Sequence, residues 1–499
     1  MLAAILYRSI SAQNWHDQSG LSRDMSKQPN ILFIMSDDHA AHAISAYGSV
    51  INQTPNIDRI AEKGLRLDNC FCTNSICTPS RATILTGEYG HKSGVKTLAD
   101  TLDNSRPMQL QKLLKNAGYK TAIFGKWHLG HGPQPDGTDA SPAGFDDWQT
   151  LPGQGLYFDP VFHTPRGDIK YTGYVSEIIT DISLDWLNKW NTERKAGDDS
   201  PFFACVHHKA PHREWEPGPK YQHLYEDEEI PVPDTFDDDY EGRPAAEMAY
   251  MRVERDLNHL DLKEPPPVGL TARELKHWKY QRYIKDYLRC VASVDDSVGQ
   301  LLDWLEENGQ LENTIVIYTS DQGFFLGDHG WYDKRFIYEE SLRMPFVVSY
   351  PAELEAGVAR TEMLTNTDFA PTLLDYAQSD IPAAMQGTSA RAMLKGEAPD
   401  DWQTSLYYRY WMHLTQHNVT AHYGVRDERY KLIYFYGRGL GATNASEVKT
   451  EPYWELYDLQ TDEDELHNIY DNPDYAEVQA QMHAELDRLM AKFEDEPAH

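Results

Sequence analysis

Short, nearly continuous apolar runs recur along the chain, and a dense polar cluster follows each of them. Four runs stand out: Ile31–Met35, Thr121–Phe124, Phe202–Val206 and Thr314–Thr319. Runs of this length are typical of strands that are buried on both faces of a parallel sheet. The pattern therefore predicts four central strands, each of which leads into a polar loop.

Helical patterns precede three of these strands. Met108–Asn116 has helical spacing and ends just before Gly118, a residue suited to a helix C-terminus. Ser176–Trp190 and Tyr283–Leu305 are longer amphipathic segments before the third and fourth strands. Strands that alternate with helices indicate an α/β fold.

The hydrophobic pattern changes beyond a composition shift near residues 381–396. Three short segments, Tyr423–Val425, Tyr430–Tyr436 and Trp454–Leu459, have the character of antiparallel strands, and a helix is predicted from about Tyr475 to Phe493. We therefore expect three parts: a tail at 1–28, a main domain at 29–385, and a smaller C-terminal α+β subdomain at 386–499.

The net charge of the chain limits the classes of molecule that it can bind. The 499 residues include 46 Lys plus Arg and 78 Asp plus Glu, so the net charge is −32. A nucleic-acid-binding protein carries the opposite sign, and this class is excluded. Any anionic substrate must be met by a local cluster of cations or by a metal ion.

The N-terminal segment, MLAAILYRSI, has no clear secretory pattern, and no stretch approaches the roughly 20 apolar residues of a membrane span. We expect a protein without a membrane partner, located in the cytoplasm. If the true start differs, with Met25 as one alternative, a periplasmic or secreted location becomes the expectation.

Acidic and amide side chains follow two of the predicted strands. Asp37 and Asp38 come after the first strand, and Asp321 and Gln322 come after the fourth. Ligands bind at the carboxyl ends of strands in such sheets, and hard oxygen ligands suit Ca²⁺ or Mg²⁺. Either pair alone is more often an acidic loop, but two pairs at one edge favour a metal site.

Cationic side chains follow the other two strands. Lys126 and His128 come after the second strand, whereas His207, His208 and His212 come after the third. A lone histidine is more often a hydrogen-bonded structural group than a catalyst. Cations that converge with acidic metal ligands, however, form a site for an oxyanion at which histidine exchanges protons.

Five cysteines in a long chain do not form a disulfide framework. Cys77 stands at the start of a helical stretch and four residues before Arg81. The helix N-terminus and Arg81 would lower the pKa of the thiol, which would favour a nucleophile. The plain alternative is a small buried cysteine, and the residue types leave both interpretations open.

Six motifs, taken in chain order, resemble those of the type I sulfatases. They are Asp37-Asp38, Cys77-Thr78-Pro79-Ser80-Arg81 with Thr86-Gly87, Gly125-Lys126-Trp127-His128, Pro211-His212, Ser320-Asp321-x-Gly, and Lys334. The resemblance implies an alkaline-phosphatase-like fold, with a large mixed, mostly parallel sheet between helices. It also implies that a maturation enzyme oxidises Cys77 to formylglycine.

The resemblance also implies a role for each residue. Asp37, Asp38, Asp321 and Gln322 would hold Ca²⁺, or Mg²⁺, together with the modified Cys77. Arg81 would hold the formylglycine hydrate, Lys126 and Lys334 would bind sulfate oxygens, His212 or Lys334 would protonate the departing alcohol, and His128 would take a proton from the hydrate. Gln322 departs from the Asn or His of most relatives, and Gln154 is our choice for a further polar residue of the site.

Among sulfatases, the stretches around Asp37, Gly327 and Asp333 are most similar to carbohydrate sulfatases of the N-acetylglucosamine-6-sulfatase type. The implied substrate is a sugar 6-O-sulfate, with Asp333, Arg335, His422 and Gln154 as sugar contacts. A surface salt bridge and a packed histidine are the alternatives for Asp333–Arg335 and His422. Trp331, Trp411 and Tyr157 are candidates for stacking on sugar rings. Other functions left open are a sulfatase for marine algal polysaccharide fragments, a phosphonate or phosphate ester hydrolase, and a sugar-sulfate-binding protein without catalysis.

Overall fold

The computed structural model describes residues 28–132, 134 and 139–498. The predicted tail, apart from Gln28, lies outside the described residues. Gln28 is itself buried, and its side-chain amide donates a hydrogen bond to the carbonyl oxygen of Ala377.

The main domain is built on an eight-stranded sheet. Its strands are β1 (Asn30–Ser36), β2 (Leu65–Leu67), β3 (Lys120–Lys126), β4 (Asp147–Leu151), β5 (Phe202–His207), β6 (Thr314–Ser320), β7 (Phe346–Ser349) and β8 (Val358–Arg360). Their spatial order is β8-β2-β7-β6-β1-β5-β3-β4. Only β7 runs antiparallel to its neighbours. This mixed, mostly parallel sheet confirms the predicted α/β class.

The four predicted strands are β1, β3, β5 and β6, which lie next to one another in the sheet. The side chains of β1 alternate between two hydrophobic cores, with Phe33 in one and Leu32 in the other. Burial on both faces explains the continuous apolar runs. The outer strands β2 and β8 are short and partly exposed, so the same criterion did not find them.

Helices cover both faces of the sheet. The longer ones are α1 (Pro55–Glu62), α2 (Cys77–Thr86), α3 (Leu110–Asn116), α4 (Val175–Lys195), α5 (Ala272–Glu307), α6 (Phe369–Tyr376) and α7 (Ala476–Phe493). The predicted helices correspond to α3, α4, α5 and α7. Helix α5 begins earlier than expected because Thr271 and Glu274 form a capping box at its N-terminus.

The C-terminal elements form a second, antiparallel sheet. Strands β9 (Ser405–Tyr410), β10 (His422–Asp427), β11 (Tyr430–Phe435) and β12 (Tyr453–Asp458) pair in chain order. Helix α7 packs against this sheet with Leu486 and Leu489 in a shared core. Three of the four strands and the helix match the prediction, while the boundary at residue 385 stays a prediction. In the described part of the chain, the structure contains no helix with the length and apolarity that crossing a membrane requires.

Parallel pairing brings the polar loops together. Met35 of β1 pairs with His207 of β5, and Ser36 pairs with Ser320 of β6. Gly125 of β3 also pairs with His207. The loops that follow β1, β3, β5 and β6 therefore emerge side by side at one edge of the sheet, as ligand-binding loops do in α/β proteins.

Candidate active site

Helix α2 begins at this edge with Cys77, and every residue of the helix is buried. Arg81, one turn along, connects the helix to two strand ends. Its Nε donates to Asp321 Oδ2 at 2.8 Å, and its Nη1 donates to the backbone oxygen of Lys126 at 2.9 Å. These bonds fix the position of Cys77 relative to the ends of β3 and β6.

An acidic cluster surrounds Cys77. Potential ligand atoms of Asp37, Cys77 and Asp321 lie within 4.8 Å of one another, and so do those of Asp37, Asp38 and His212. Asp38 has a left-handed backbone with φ 67°, and its amide donates to Asp321 Oδ1 at 3.3 Å. The structure thus brings together the acidic residues predicted from two strand ends.

Gln322 completes this group, since its side-chain amide contacts Asp38 Oδ1. Two oxygens of the group, Asp37 Oδ1 and Gln322 Oε1, are buried and have no hydrogen-bond partner among the described residues. A buried oxygen without a partner is costly, and hard carboxylate and amide oxygens are what Ca²⁺ and Mg²⁺ take as ligands. The donor set fits a hard divalent cation.

Two buried lysines contact the acidic cluster. Lys126 contacts Asp37 and Gln154, while Lys334 Nζ lies 2.6 Å from both carboxylate oxygens of Asp38. Burial raises the pKa of Asp38 to about 6 and lowers the pKa of Lys126 well below its usual value. Burial also lowers the pKa of Lys334, but the charges of Asp38 and Asp333 outweigh it and hold that pKa above the ordinary value.

Two histidines flank the same group. Thr78 Oγ1 lies 3.3 Å from Nδ1 of His128 and donates to its carbonyl oxygen at 3.0 Å. His212 places Nε2 3.9 Å from Asp38 Oδ2, with Nδ1 2.6 Å from the backbone oxygen of Arg213. Burial, followed by nearby lysine charges, lowers the pKa of both rings well below the usual value. Both rings are therefore neutral at neutral pH.

The expectation of a lowered thiol pKa at Cys77 is wrong. Cys77 is only 1% exposed, and burial raises its pKa to about 12. The opposing charge of Lys334, which would lower this pKa, is the smaller effect, and Asp321 and Asp38 add to the increase. The unmodified thiol is therefore protonated at neutral pH.

The residues on either side of Lys334, Asp333 and Arg335, form another side of the site. Asp333 and Arg335 both have positive φ angles, 90° and 102°, and Arg335 Nε lies 3.0 Å from Asp333 Oδ1. Burial raises the pKa of Asp333, but the charge of His417 and then those of Arg335, Lys334 and Arg213 outweigh it and hold the pKa well below its usual range. Asp333 is thus a buried carboxylate that remains ionised.

His422 packs in an aromatic cluster. Its ring is fully buried among Tyr410, Phe336 and Phe435, with centroid distances of 4.9–5.7 Å. Its Nδ1 lies 2.8 Å from the backbone oxygen of Thr420. This packing fits the alternative of a packed histidine, while contact of His422 with a sugar stays a prediction.

The predicted stacking aromatics are also enclosed. Trp331 is fully buried, with Tyr240 and Phe336 stacked against its ring. Tyr157 is buried, and Trp411 lies beneath Arg409 at 3.8 Å. A sugar ring would have to displace protein atoms to reach any of these three faces.

Two residues of the site were missed. Lys209 is buried, and its ammonium group lies 3.4 Å from the Arg213 carbonyl oxygen that His212 Nδ1 also contacts. It stands in the same polar cluster after β5 as His212, so the sequence did carry a signal for it. His417 Nε2 lies 3.3 Å from Asp333 Oδ2. It comes from the loop between β9 and β10, where the local sequence pattern gives no indication of it.

Residues 29–379 match the family model described as Sulfatase, and residues 327–492 match the model for the C-terminal region of N-sulphoglucosamine sulphohydrolase. The chain belongs to the sulfatase family. The resemblance inferred from the six motifs is confirmed, and with it the expected fold and the assignment as an enzyme.

This sulfatase is 39% identical over 519 aligned residues to N-acetylglucosamine-6-O-sulfatase of Bacteroides thetaiotaomicron, an alignment that covers 95% of this chain and 88% of that protein. A solved protein in complex with its substrate, D-glucosamine-2-N,6-O-disulfate, is 38% identical and superposes with a TM-score of 0.86, covering 95% of this chain and 99% of that one. Phosphonate monoester hydrolase from Silicibacter pomeroyi shares the fold, with a TM-score of 0.72 at 21% identity and coverage of 95% and 96%.

Proposed function

We propose that this sulfatase hydrolyses an O-sulfate ester of a carbohydrate, the 6-O-sulfate of N-acetylglucosamine or of a related hexose. The observation that carries the proposal is the convergence of Cys77, the cluster of acidic and amide oxygens, two lysines and two histidines at one sheet edge. The similarity to an N-acetylglucosamine-6-O-sulfatase supports the choice of sugar. The products are the free hydroxyl and inorganic sulfate, with water as the second substrate.

The motif from Cys77 to Arg81 supports conversion of Cys77 to formylglycine by a maturation enzyme. Because Cys77 is almost fully buried, that enzyme has to reach it before the chain has folded. The hydrated aldehyde supplies one oxygen as the nucleophile toward sulfur and a second hydroxyl whose proton is lost as sulfate leaves. Arg81, fixed by Asp321 and the Lys126 carbonyl, holds this side chain in position.

We assign Ca²⁺ or Mg²⁺ to the oxygens of Asp37, Asp38, Asp321 and Gln322. The two buried oxygens without partners among the described residues support this assignment. When bound, the cation supplies positive charge that favours an anionic oxygen at position 77. It would also compensate the carboxylates that now pair with Lys126 and Lys334, so that both ammonium groups could bind sulfate oxygens.

Proton transfer is assigned to the two histidines. His128 is held beside position 77 by Thr78, and it would accept the proton of the second hydroxyl. Lys334, whose pKa is held above the ordinary value, is protonated and would give a proton to the departing sugar oxygen, a step that His212 on the side of Asp38 could serve once it has gained a proton. Both rings are neutral at neutral pH because of burial, so each can accept a proton.

Sugar recognition is assigned to Asp333 and Arg335, which flank Lys334. A carboxylate and a guanidinium group held 3.0 Å apart can hydrogen-bond two neighbouring hydroxyls of a sugar. His417, in contact with Asp333, keeps that carboxylate in place. Gln154, in contact with Lys126, would lie at the sulfate end of the pocket.

The test combines two measurements on one preparation. Peptide mass spectrometry over Cys77 measures conversion. Sulfate release is measured from 6-O-, 4-O- and 3-O-sulfated N-acetylglucosamine, and hydrolysis of an aryl phosphonate monoester is measured for comparison. We expect formylglycine and release from the 6-O-sulfate, with none from the Cys77→Ala variant. Converted enzyme that prefers the phosphonate, or that releases no sulfate from any of the sugars, would contradict the proposal.

A further inference from the structure

The reacting groups are buried, so the direction in which the site opens decides where the rest of a substrate lies. The side chains of Lys334 and Arg335 are each 4% exposed. Those of Arg213, His212 and His417 are 20%, 11% and 10% exposed. The rise in exposure toward these three residues places an opening of the site beside them.

Tyr250 lies at the rim of this opening and is joined directly to its wall. Its backbone amide donates to the carbonyl oxygen of His417 at 2.8 Å, and His417 Nδ1 lies 2.9 Å from the carbonyl oxygen of Tyr250. The other ring nitrogen of His417 contacts Asp333. A continuous set of contacts therefore leads from Lys334 and its neighbour Asp333, through His417, to Tyr250.

Tyr250 is 51% exposed, and a set of polar contacts surrounds it. The guanidinium group of Arg255 lies 5.1 Å from the ring centroid. Arg255 is itself fixed by Asp256 at 2.7 Å and by the carbonyl oxygen of Ala249 at 2.6 Å. Arg255 thus lies against the ring, while about half of the surface of Tyr250 remains open to solvent.

A further hydrogen bond ties the backbone near Tyr250 to the loop between β9 and β10. Asn418 Nδ2 donates to the carbonyl oxygen of Met248 at 2.9 Å, so the short segment from Met248 to Tyr250 is attached to the loop that carries His417. An aromatic ring held in place loses little conformational freedom when a ligand stacks on it. Tyr250 is therefore prepared for a flat, partly apolar partner.

We propose that Tyr250 is a platform for the sugar residue that is attached to the sulfated one, so that the enzyme takes an oligosaccharide in preference to a monosaccharide. The inference rests on the proposed function, because the sulfated sugar has to occupy the pocket next to Asp333. A pyranose presents C–H groups on one face, and an aromatic ring with a polar edge offers a matching surface at a wet rim. Stacking on one ring gives an advantage of about three- to tenfold in affinity.

The test measures binding without turnover, in the full-length Cys77→Ala protein. Calorimetric titration compares N-acetylglucosamine-6-sulfate with a disaccharide that carries the same sulfated residue at its non-reducing end. We expect the disaccharide to bind three- to tenfold more tightly than the monosaccharide. Adding Tyr250→Ala should bring the ratio of the two Kd values close to one, whereas Tyr250→Phe should retain it.

Ile381→Ala removes another exposed apolar side chain, 40% exposed, and serves as the matched control, in which the ratio should be unchanged. The inference is overturned if the disaccharide binds no better than the monosaccharide, or if its advantage survives Tyr250→Ala. Failure of the proposed function looks different: neither sugar binds, and the converted enzyme releases no sulfate from either one.

Discussion

Two buried charged regions of the molecule differ in how completely their charges are paired. One lies at the junction between the main domain and the C-terminal sheet, where Lys431 is fully buried. Its ammonium group meets three oxygens, from Ile337, Glu339 and Glu465, at 2.7–2.9 Å. Glu455, also fully buried there, accepts hydrogen bonds of 2.8–2.9 Å from three tyrosine hydroxyls.

The second region is the catalytic edge, the edge of the main sheet where the loops after β1, β3, β5 and β6 emerge. Its buried charged and polar groups have fewer partners. Lys209 is only 4% exposed, yet within the described residues its ammonium group has one oxygen acceptor, the Arg213 carbonyl at 3.4 Å, and it lies 4.6 Å from the Tyr157 ring. At the same edge, Asp37 Oδ1 and Gln322 Oε1 also lack a hydrogen-bond partner in the described part of the chain. Native proteins satisfy nearly all of their buried polar groups, so a concentration of incomplete pairing points to a bound ligand.

Removal of the nucleophile at the catalytic edge should have the largest effect on activity and little effect on stability, whereas changes at the junction should act on stability. We expect Cys77→Ala to lose more than about a thousandfold in sulfate release, because a covalent catalyst is absent. Its free energy of unfolding should stay within about 1 kcal/mol of the parent, since only one small side chain changes. Sulfate assay and urea unfolding measure the two effects. A variant that loses activity only as it unfolds would contradict this assignment.

The sequence predicted the catalytic edge better than the rest of the molecule. The four central strands are buried on both faces, so each appears as an apolar run, and the motif residues follow where those strands end. Asp37 and Asp321 are 284 residues apart in sequence, and parallel pairing of β1 with β6 is what brings them together. A local pattern was therefore enough to find them.

Contacts from the C-terminal subdomain could not be predicted in the same way. His417 reaches Asp333 only because a loop of the second sheet packs against the main domain. His422, five residues later, has the same chemistry but faces an aromatic core. Which histidine faces the site depends on tertiary packing, and so does the burial that raises the thiol pKa of Cys77.

At the junction, Lys431→Met should reduce the free energy of unfolding by about 3–5 kcal/mol, because it leaves Glu465 as a buried carboxylate without its cation. Burial raises the pKa of Glu465 from 4.5 to about 7, so its contribution to stability is full below pH 4.5 and is lost as the pH rises through 7. Loss of Lys431 should therefore cost less at pH 5, where Glu465 is protonated, than at pH 8.

Urea unfolding at both pH values tests this expectation. The double variant Lys431→Met, Glu465→Gln should recover part of the lost stability, since it removes the uncompensated charge as well. Lys189→Met, at a side chain that is 63% exposed, is the control and should change little. Equal destabilisation by Lys431→Met at pH 5 and pH 8 would count against unpaired charge as the cause.

Metal removal should act on the catalytic edge alone. A cation present at one hundred times its Kd stabilises the folded protein by about 2.7 kcal/mol relative to chelated protein. We expect added Ca²⁺ or Mg²⁺ to restore this difference after EDTA treatment. Asp37→Asn, which removes one charged ligand, should abolish most of the response, as measured by thermal unfolding. An Asp37→Asn variant that responds like the parent would move the cation site elsewhere.

Lys209→Met gives the smallest effect and the most direct test of incomplete pairing. Burial lowers the pKa of Lys209 to about 8, and its charge contributes to the lowered pKa values of Lys126, His128 and His212. If Lys209 is a third cation for sulfate, its loss should weaken inhibition by inorganic sulfate about tenfold, equivalent to about 1.4 kcal/mol.

The stability of the Lys209→Met variant should stay level or rise, because replacing a poorly paired buried charge with a hydrophobic side chain of similar size removes a desolvation cost. Lys431→Met should show the reverse, with lower stability and little change in sulfate inhibition. If Lys209→Met were as destabilised as Lys431→Met, incomplete pairing would no longer distinguish a ligand-binding charge from a structural one.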